Sequence, residues 1–360
     1  MAYGRGRSVQ HTVEVAAPAG VVYGMLADAP RWPVLWPFAV HVERVGLDGG
    51  EEHLRVWETA GGRVRSLLVR RVLDPQARSI DFEQRESGWP ATPETGSWSV
   101  RPDGEEHALL TLRHDLPPTP TPTPTPAASP SAASTPASPS VSVSGAATAS
   151  GPAQTARAAR AARAAGVAGV AEVAGAEILD RLERVRETAG RWQHLDELLL
   201  SFEDSVRIQG PLEVVYDFLY RIGDWADLLP HVERTQVSED RPGIQFVTLD
   251  TCTDSGTRSV ARSVRLCFPH AGRIVYKETL NPALIAAHSG EWYLAPDAWG
   301  VRAVCARRIM LREEDVTAVL GAGAGLADAR RHLRGELGAA AAEALGLAKW
   351  HAESAVRRLR

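Results

Sequence analysis

Two histidines sit inside a tetrapeptide that occurs twice, His41-Val42-Glu43-Arg44 and His231-Val232-Glu233-Arg234. The ordinary histidine pKa of ~6.5 suits proton transfer near neutrality, which makes His41 and His231 candidate catalytic proton shuttles. The same tetrapeptide also reads as the start of a strand, with His and Glu on one face and Val on the other. Trp32 and Trp98, with Trp225 and Trp292, are large flat side chains that can wall a substrate-binding cavity or simply pack as core. Ten Trp against six Phe is an unusual balance, and it suits a cavity for planar molecules. Tyr23 and Tyr216 have apolar neighbours at helical spacing and read as core. Cys252, Cys267 and Cys305 form no CxxC pair, so neither a disulfide framework nor a zinc site is expected, and a reducing cytoplasm fits. Gly49-Gly50 and Gly61-Gly62 read as hairpin turns, and no phosphate-binding glycine pattern stands at a strand–helix junction, so no cofactor is expected.

The elements that position these residues belong to a chain of 360 residues, long enough for two domains. With 23% charged and 44% hydrophobic residues and a net charge of −4, the chain reads as a soluble globular protein. It lacks the global basic field of a nucleic-acid binder. The N-terminal residues carry no apolar signal core. The Ala-rich stretch 156–178 is interrupted by Arg157, Arg160, Arg163 and Glu172, so no membrane span is expected. From Leu116 to Ala156 there is no charged residue, and the stretch opens on a Thr-Pro alternation. Such a composition cannot repay ordering entropy with buried surface and is expected to be a disordered insertion over 117–155.

A long internal repeat organises the rest. Val21-Val22-Tyr23 recurs as Val214-Val215-Tyr216 and Trp32 as Trp225, both at an offset of 193. Pro75 pairs with Pro269, Gly96-Ser97-Trp98 with Gly290-Glu291-Trp292, and Pro102-Asp103 with Pro296-Asp297, all at 194. The two tetrapeptides match at 190. A period this long describes two whole domains, 8–200 and 201–360. Each opens with a strand (Val9–Val15; Asp204–Ile208) and a short helix started near a proline (Val21–Ala27; Val214–Tyr220), then bends at Trp32-Pro33 or Trp225. Alternating segments follow at Leu54–Glu58, Ser66–Leu73, Ser79–Arg85, Ser97–Arg101 and Leu109–His114. Their counterparts are Gln245–Thr251, Val260–Phe268, Ile274–Thr279, Glu291–Ala295 and Val301–Leu311. A long helix closes each half. One stripe runs Ile178, Leu182, Val185, Ala189, Trp192 and Leu199, the other Leu333, Leu337, Ala341, Leu345 and Ala348. The insertion interrupts the first domain before its long helix, at a closure cost that grows only logarithmically with length.

The expected fold class is α+β, a curved antiparallel sheet wrapped on a long C-terminal helix, in tandem. With Arg31-Trp32-Pro33-Val34-Leu35, the tetrapeptide, Arg71-Val72-Leu73-Asp74-Pro75-Gln76-Ala77-Arg78 and their second-copy counterparts, the chain resembles the helix-grip proteins of the START and Bet v 1 superfamily. Specifically it resembles the two-domain aromatase/cyclases of bacterial type II polyketide synthases. The resemblance covers nearly the whole chain outside the insertion. It implies a cavity between sheet and helix, and as substrate a ketoreduced poly-β-ketone on an acyl carrier protein. It also implies first-ring aldol cyclisation followed by dehydration. The implied partners are the acyl carrier protein and other synthase components, with no nucleic acid, membrane or cofactor.

Aldol closure needs an enolate, a polarised carbonyl and loss of water. A fixed guanidinium suits developing oxyanions, though it is too basic to be a ready general base. The resemblance places the mechanistic arginine just before the Asp-Pro turn, at Arg71, and by the repeat at Arg265. Single-domain relatives often carry Trp-x-Ser-x-Arg on this strand. Here the first copy reads Leu67, Val69, Arg71, and the second Ala261, Ser263, Arg265. The second copy keeps Ser263 and is therefore favoured for polar catalysis, although alternation makes Val260, Val264 and Leu266 the more obvious inward set. Adjacent Arg70 competes with Arg71, and either candidate also reads as an exposed strand arginine. The other class left open is a non-catalytic carrier of lipids or other hydrophobic small molecules, which shares the fold. A proline-tract scaffold for synthase components is a third.

Overall fold

Alternating apolar and polar residues build two seven-stranded antiparallel sheets of identical topology. In the computed structural model, residues 7–48, 50–60, 62–86, 94–116, 179–252, 256 and 258–358 are described; the insertion 117–155 lies outside them. The first sheet has strand order β1-β7-β6-β5-β4-β3-β2. Its strands are β1 (Arg7–Val15), β2 (Ala39–Asp48), β3 (Glu51–Ala60), β4 (Arg63–Asp74), β5 (Ser79–Glu86), β6 (Glu94–Pro102) and β7 (Ala108–Leu116). The second sheet repeats that order as β8-β14-β13-β12-β11-β10-β9. It comprises β8 (Leu199–Ile208), β9 (Val232–Arg241), β10 (Ile244–Cys252), β11 (Arg258–Phe268), β12 (Arg273–Leu280), β13 (Ile285–Asp297) and β14 (Gly300–Leu311). In each half the opening strand pairs with the last one, and two short helices cross to the opposite edge: α1 (Ala19–Ala27) and α2 (Trp32–Leu35), or α5 (Leu212–Tyr220) and α6 (Trp225–Leu228). The turns at Gly50 and Gly62 have φ of 90° and 76°, a region glycine enters without steric cost.

The closing helices differ from the expected pair. The first, α3, covers 179–189. Leu182, Val185 and Ala189 are buried as their spacing predicts, and Ile178 lies outside the described residues. The helix stops at Gly190, a residue suited to helix C-termini. Trp192 lies in a 3-10 turn, Leu195–Leu198 form the short helix α4, and Leu199 opens β8 opposite Met310. Pairing with β14 prevails over the helical spacing, and β8 starts five residues earlier than Asp204. A short α7 (Val316–Leu320) precedes α8, Leu326–Arg358, whose 33 residues span ~50 Å. Its stripe lies against the sheet, with Leu333, Ala341, Leu345 and Ala348 buried.

The strand registers define which repeated residues are equivalent. Arg71 pairs with Glu52, and Arg265 with Gln245. Ile80 pairs with Trp98, and Ile274 with Trp292. The Phe38 carbonyl accepts from Thr59 N–H at 2.9 Å, as the His231 carbonyl does from Cys252 N–H at 2.9 Å. His231 therefore stands where the first half has Phe38, three residues before the place of His41, which is filled by Arg234. The identical tetrapeptides are out of register. His41 lies within β2, whereas His231 precedes β9.

The halves meet on the outer face of the second sheet. Along β12, Arg273, Val275 and Lys277 face the first half, while Ile274 and Tyr276 face inward. Val275, Val264 and Leu266 join Val40, Trp57 and Val64 in one buried cluster. Alternation on β11 thus places Arg265 inside. Val264 and Leu266 form an outer face covered by the neighbouring half, and Val260 is exposed.

Candidate active site

Charged residues at inward-facing strand positions are the local anomaly from which a site can be built. On β3, Glu58 follows Val56 on the inner face, and on β4 Arg65 and Arg71 flank Leu67 and Val69. β5 contributes Phe82 and Gln84, β6 Glu94 and Trp98, and β7 Leu112 and His114. Trp32 and Trp36 from the α2 region, Phe38, and Arg181 from α3 complete the lining of a cavity of about 150 Å³.

Two polar clusters face this space. Glu58, 1% exposed, accepts from Arg65 Nε at 2.6 Å and from Arg181 Nη2 at 2.9 and 3.0 Å. Arg181 also lies 4.7 Å over the Phe38 ring. In the second cluster Gln84 Nε2 donates to Glu94 at 3.1 Å, and His114 Nε2 stands 3.5 Å from the same carboxylate without hydrogen-bond alignment. Burial lowers the His114 pKa below the usual histidine value. Glu94 opposes that shift and Arg181 reinforces it. The ring is therefore neutral near neutral pH and able to accept a proton. The indole N–H groups of Trp32 and Trp36 and Nε2 of His114 are buried without hydrogen-bond partners, an unusual concentration around one cavity.

Arg71 is 2% exposed, not a surface strand arginine. It pairs with Glu52 and donates to the Leu26 carbonyl at 2.9 Å and to the Ala27 carbonyl, and its guanidinium lies 5.3 Å over the Trp32 ring. It thus satisfies the free carbonyls at the end of α1, where a cation also complements the helix dipole. Adjacent Arg70 points outward to Glu51. Arg265 repeats the capping, donating to the Leu219 carbonyl at 2.6 Å, the Tyr220 carbonyl at 3.4 Å and Gln245 Oε1 at 2.7 Å.

Aromatic side chains pack together in the second interior. Trp225 meets Trp292 edge-on at 6.2 Å, and both are buried; Phe218 stacks on Trp225 at 6.2 Å. Tyr276 occupies the place of Phe82, and Arg307 that of His114. Arg307 donates from Nε to Tyr276 Oη at 3.2 Å and from Nη1 to the Leu337 carbonyl at 2.7 Å. The described residues outline no cavity around Arg265 comparable to that beside Arg71. Ser263 is half-buried at the position of Val69. His231 pairs with Glu343 of α8 at 2.8 Å. His41 lies in the seam, stacked on Trp57 at 5.4 Å and 2.9 Å from Arg273. Of the sequence candidates, Arg71, Trp32 and Trp98 share one cavity; His41, His231, Ser263, Arg265, Trp225 and Trp292 stand outside it. Sequence reasoning missed Glu58, Arg65, Glu94, His114 and Arg181. The available signal was polarity at inward strand parity, which His114 shows two residues after Leu112. Among the described residues no three His, Cys, Asp or Glu side chains converge as a metal-ligand set, and no helix is long and apolar enough to cross a membrane.

A helix laid across a curved antiparallel sheet, twice in one chain, with a charged and aromatic hollow in one copy, defines a tandem helix-grip protein. Residues 6–135 match the family described as polyketide cyclase/dehydrase and lipid transport. The chain is 32% identical over 332 residues to the granaticin polyketide synthase bifunctional cyclase/dehydratase of Streptomyces violaceoruber, covering 91% of this chain and 89% of that one. It is 30% identical over 341 residues to the actinorhodin counterpart of Streptomyces coelicolor, covering 92% of each. Among solved structures, the di-domain ARO/CYC BexL from the BE-7585A biosynthetic pathway superposes with a TM-score of 0.77 at 32% identity, covering 96% of this chain and 99% of that one. The di-domain ARO/CYC StfQ from the steffimycin pathway gives 0.75 at 26% identity, covering 97% and 99%. The chain belongs to the bifunctional cyclase/dehydratase family of polyketide synthases. It is an enzyme of polyketide biosynthesis, an aromatase/cyclase rather than a passive carrier.

Proposed function

We propose that the cavity of the first half receives a ketoreduced poly-β-ketone, held on an acyl carrier protein in the cytoplasm alongside other synthase components. There the enzyme closes its first ring by aldol condensation and dehydrates it. The observation that carries this reading is the placement of the Glu94–His114 pair, with His114 Nε2 buried, across one aromatic-walled hollow from the Glu58–Arg65–Arg181 cluster. The hollow's volume of about 150 Å³ matches a space that takes one benzene-sized ring.

In this mechanism neutral His114 removes a proton from a methylene between two carbonyls, and Glu94 stabilises the imidazolium formed. The enolate carbon attacks a second carbonyl, whose oxygen becomes an alkoxide facing Arg65 and Arg181. Glu58 keeps both guanidinium groups fixed as donors to that charge. His114 then returns its proton to the oxygen. Loss of a neighbouring C–H proton and of the hydroxyl as water gives the ring its double bond. Trp32, Trp98 and Phe82 hold the planar product, while Arg71 fixes the wall by capping α1. In this reading Arg265, His231 and His41 support the fold.

Product analysis with a minimal polyketide synthase and ketoreductase tests this. His114→Gln in a folded protein is expected to lose correctly cyclised product by about two orders of magnitude, the lower range for a general base. The corresponding Arg307→Gln is expected to leave product regiochemistry unchanged. Full activity in folded His114→Gln would remove the histidine from the mechanism.

A further inference from the structure

A residue of the second half reaches the wall of the first-half cavity. Lys277 on β12 is 2% exposed, and its Nζ donates to the Trp36 carbonyl at 3.2 Å and to the Pro33 carbonyl. These carbonyls lie at the end of α2, whose Trp32 and Trp36 line the cavity. The α2 turn is only four residues long and cannot stabilise itself. Its carbonyls need an outside donor.

The equivalent position in the first half is Glu83, a partly exposed residue beside Arg70 and Arg85. A long cation at this register is buried only because the first half docks over β12. We infer that Lys277 is a positioning residue for the reaction, fixing Trp32 and Trp36 in the cavity wall from across the domain seam. This inference rests on the first-half cavity being the reaction site. Its structural content, the clamping of α2, is testable without substrate.

Lys277 has two carbonyls to serve, and a neutral amine still has two N–H groups. Burial lowers its pKa to about 7, so loss of the proton leaves both hydrogen bonds available. A methionine at this place keeps the chain's bulk and removes both donors.

The experiment uses the full chain. Backbone exchange is followed at Trp36, whose N–H donates to Trp32 at 2.8 Å, against the equivalent Leu229, whose N–H donates to Trp225 at 2.8 Å. Lys277→Met is expected to lower protection at Trp36 at least tenfold and leave Leu229 unchanged. It is also expected to raise KM for the polyketide substrate about tenfold with a smaller change in kcat, and Lys277→Gln, which keeps an N–H donor, to recover part of both. Unchanged Trp36 protection in Lys277→Met would overturn the clamp whatever the substrate. Lost protection with unchanged KM and product pattern would overturn the positioning role alone, since the cavity as reaction site is tested separately by His114→Gln. If Lys277→Met lowers protection equally at Trp36 and Leu229, the effect is global unfolding, and the specific role is likewise overturned.

Discussion

Arg71 shows how one side chain can serve a helix end and a cavity wall at once, and Arg265 repeats the first role without the second. Each reaches from a strand to the last carbonyls of the helix crossing the sheet, but their companions differ. Arg71 has the carboxylate of Glu52, whereas Arg265 has the amide of Gln245. Removing Arg71 leaves Glu52 with Arg44 and uncovers two buried carbonyls. Arg71→Ala is therefore expected to cost ~3–5 kcal/mol in denaturant unfolding, the scale of a broken buried ion pair. Arg265→Ala lacks the buried anion and should cost ~2–3 kcal/mol, as for hydrogen bonds to a charged donor. The repeat made both arginines legible as equivalents, but not their helix-capping role, which depends on where a distant helix ends. The inward parity of His114 was legible, but its pairing with Glu94 was not, because that partner comes from a strand whose register no spacing reveals. A pH experiment separates it from ordinary histidines. The His114 pKa is lowered, so activity needing the neutral ring should persist through pH 6.5 and fall only at more acidic pH. Persistence of the same acid limb in His114→Gln would assign it elsewhere.

Strand register explains which sequence signals could be trusted at the level of elements. Trp98 and Trp292 are equivalent because the glycines two residues before them sit opposite Phe82 and Tyr276. A Cβ on Gly96 would stand 2.5 Å from Phe82 Cζ and press on the Arg113 carbonyl, and one on Gly290 would meet Tyr276 Oη at 2.6 Å. The aromatic ring crosses the strand only over a glycine. Gly96→Ala is expected to destabilise the protein by ~1–3 kcal/mol, as overpacking does, and to displace Phe82 from the cavity wall. A thermal melt checks the first effect and a structure of the variant the second. The tetrapeptide misled for the converse reason: letter identity without register carries no position. The long helical stripe through Leu199 misled because sheet pairing uses the same leucines that helical spacing does.

At the scale of the whole molecule the seam was invisible in the sequence, since Val264 and Leu266 look like any inward strand face. Their burial depends on docking of Val40, Trp57 and Val64 from the other half. Ion pairing of Arg273 with Glu43 at 2.9 Å and with Glu291 at 2.8 Å borders that apolar patch. Val275→Asp would bury an unpaired carboxylate in it, and the cooperative unfolding expected of the wild type should separate into two transitions in a urea titration. A pH series on the intact protein reports on the same seam. Lys277 shares a cleft with Asp180, Arg184 and Glu187 of α3, with Arg191 just after that helix and with Glu278 beside it. Its folded pKa lies near 7, below the unfolded value of 10.5, so the unfolded chain binds more protons between these values. Stability should therefore rise with pH from about 7 toward 10.5, and Lys277→Met should flatten that slope.

The reach of Lys277 across the seam ties cavity and interface into one thermodynamic cycle. If the docked second half tightens binding in the first by some factor, an occupied cavity must tighten the docking by the same factor. Polyketide held in the hollow would then act as mortar between the halves. The enzyme should be hardest to pull apart while it is full, and loosest in the interval after its aromatic product has gone.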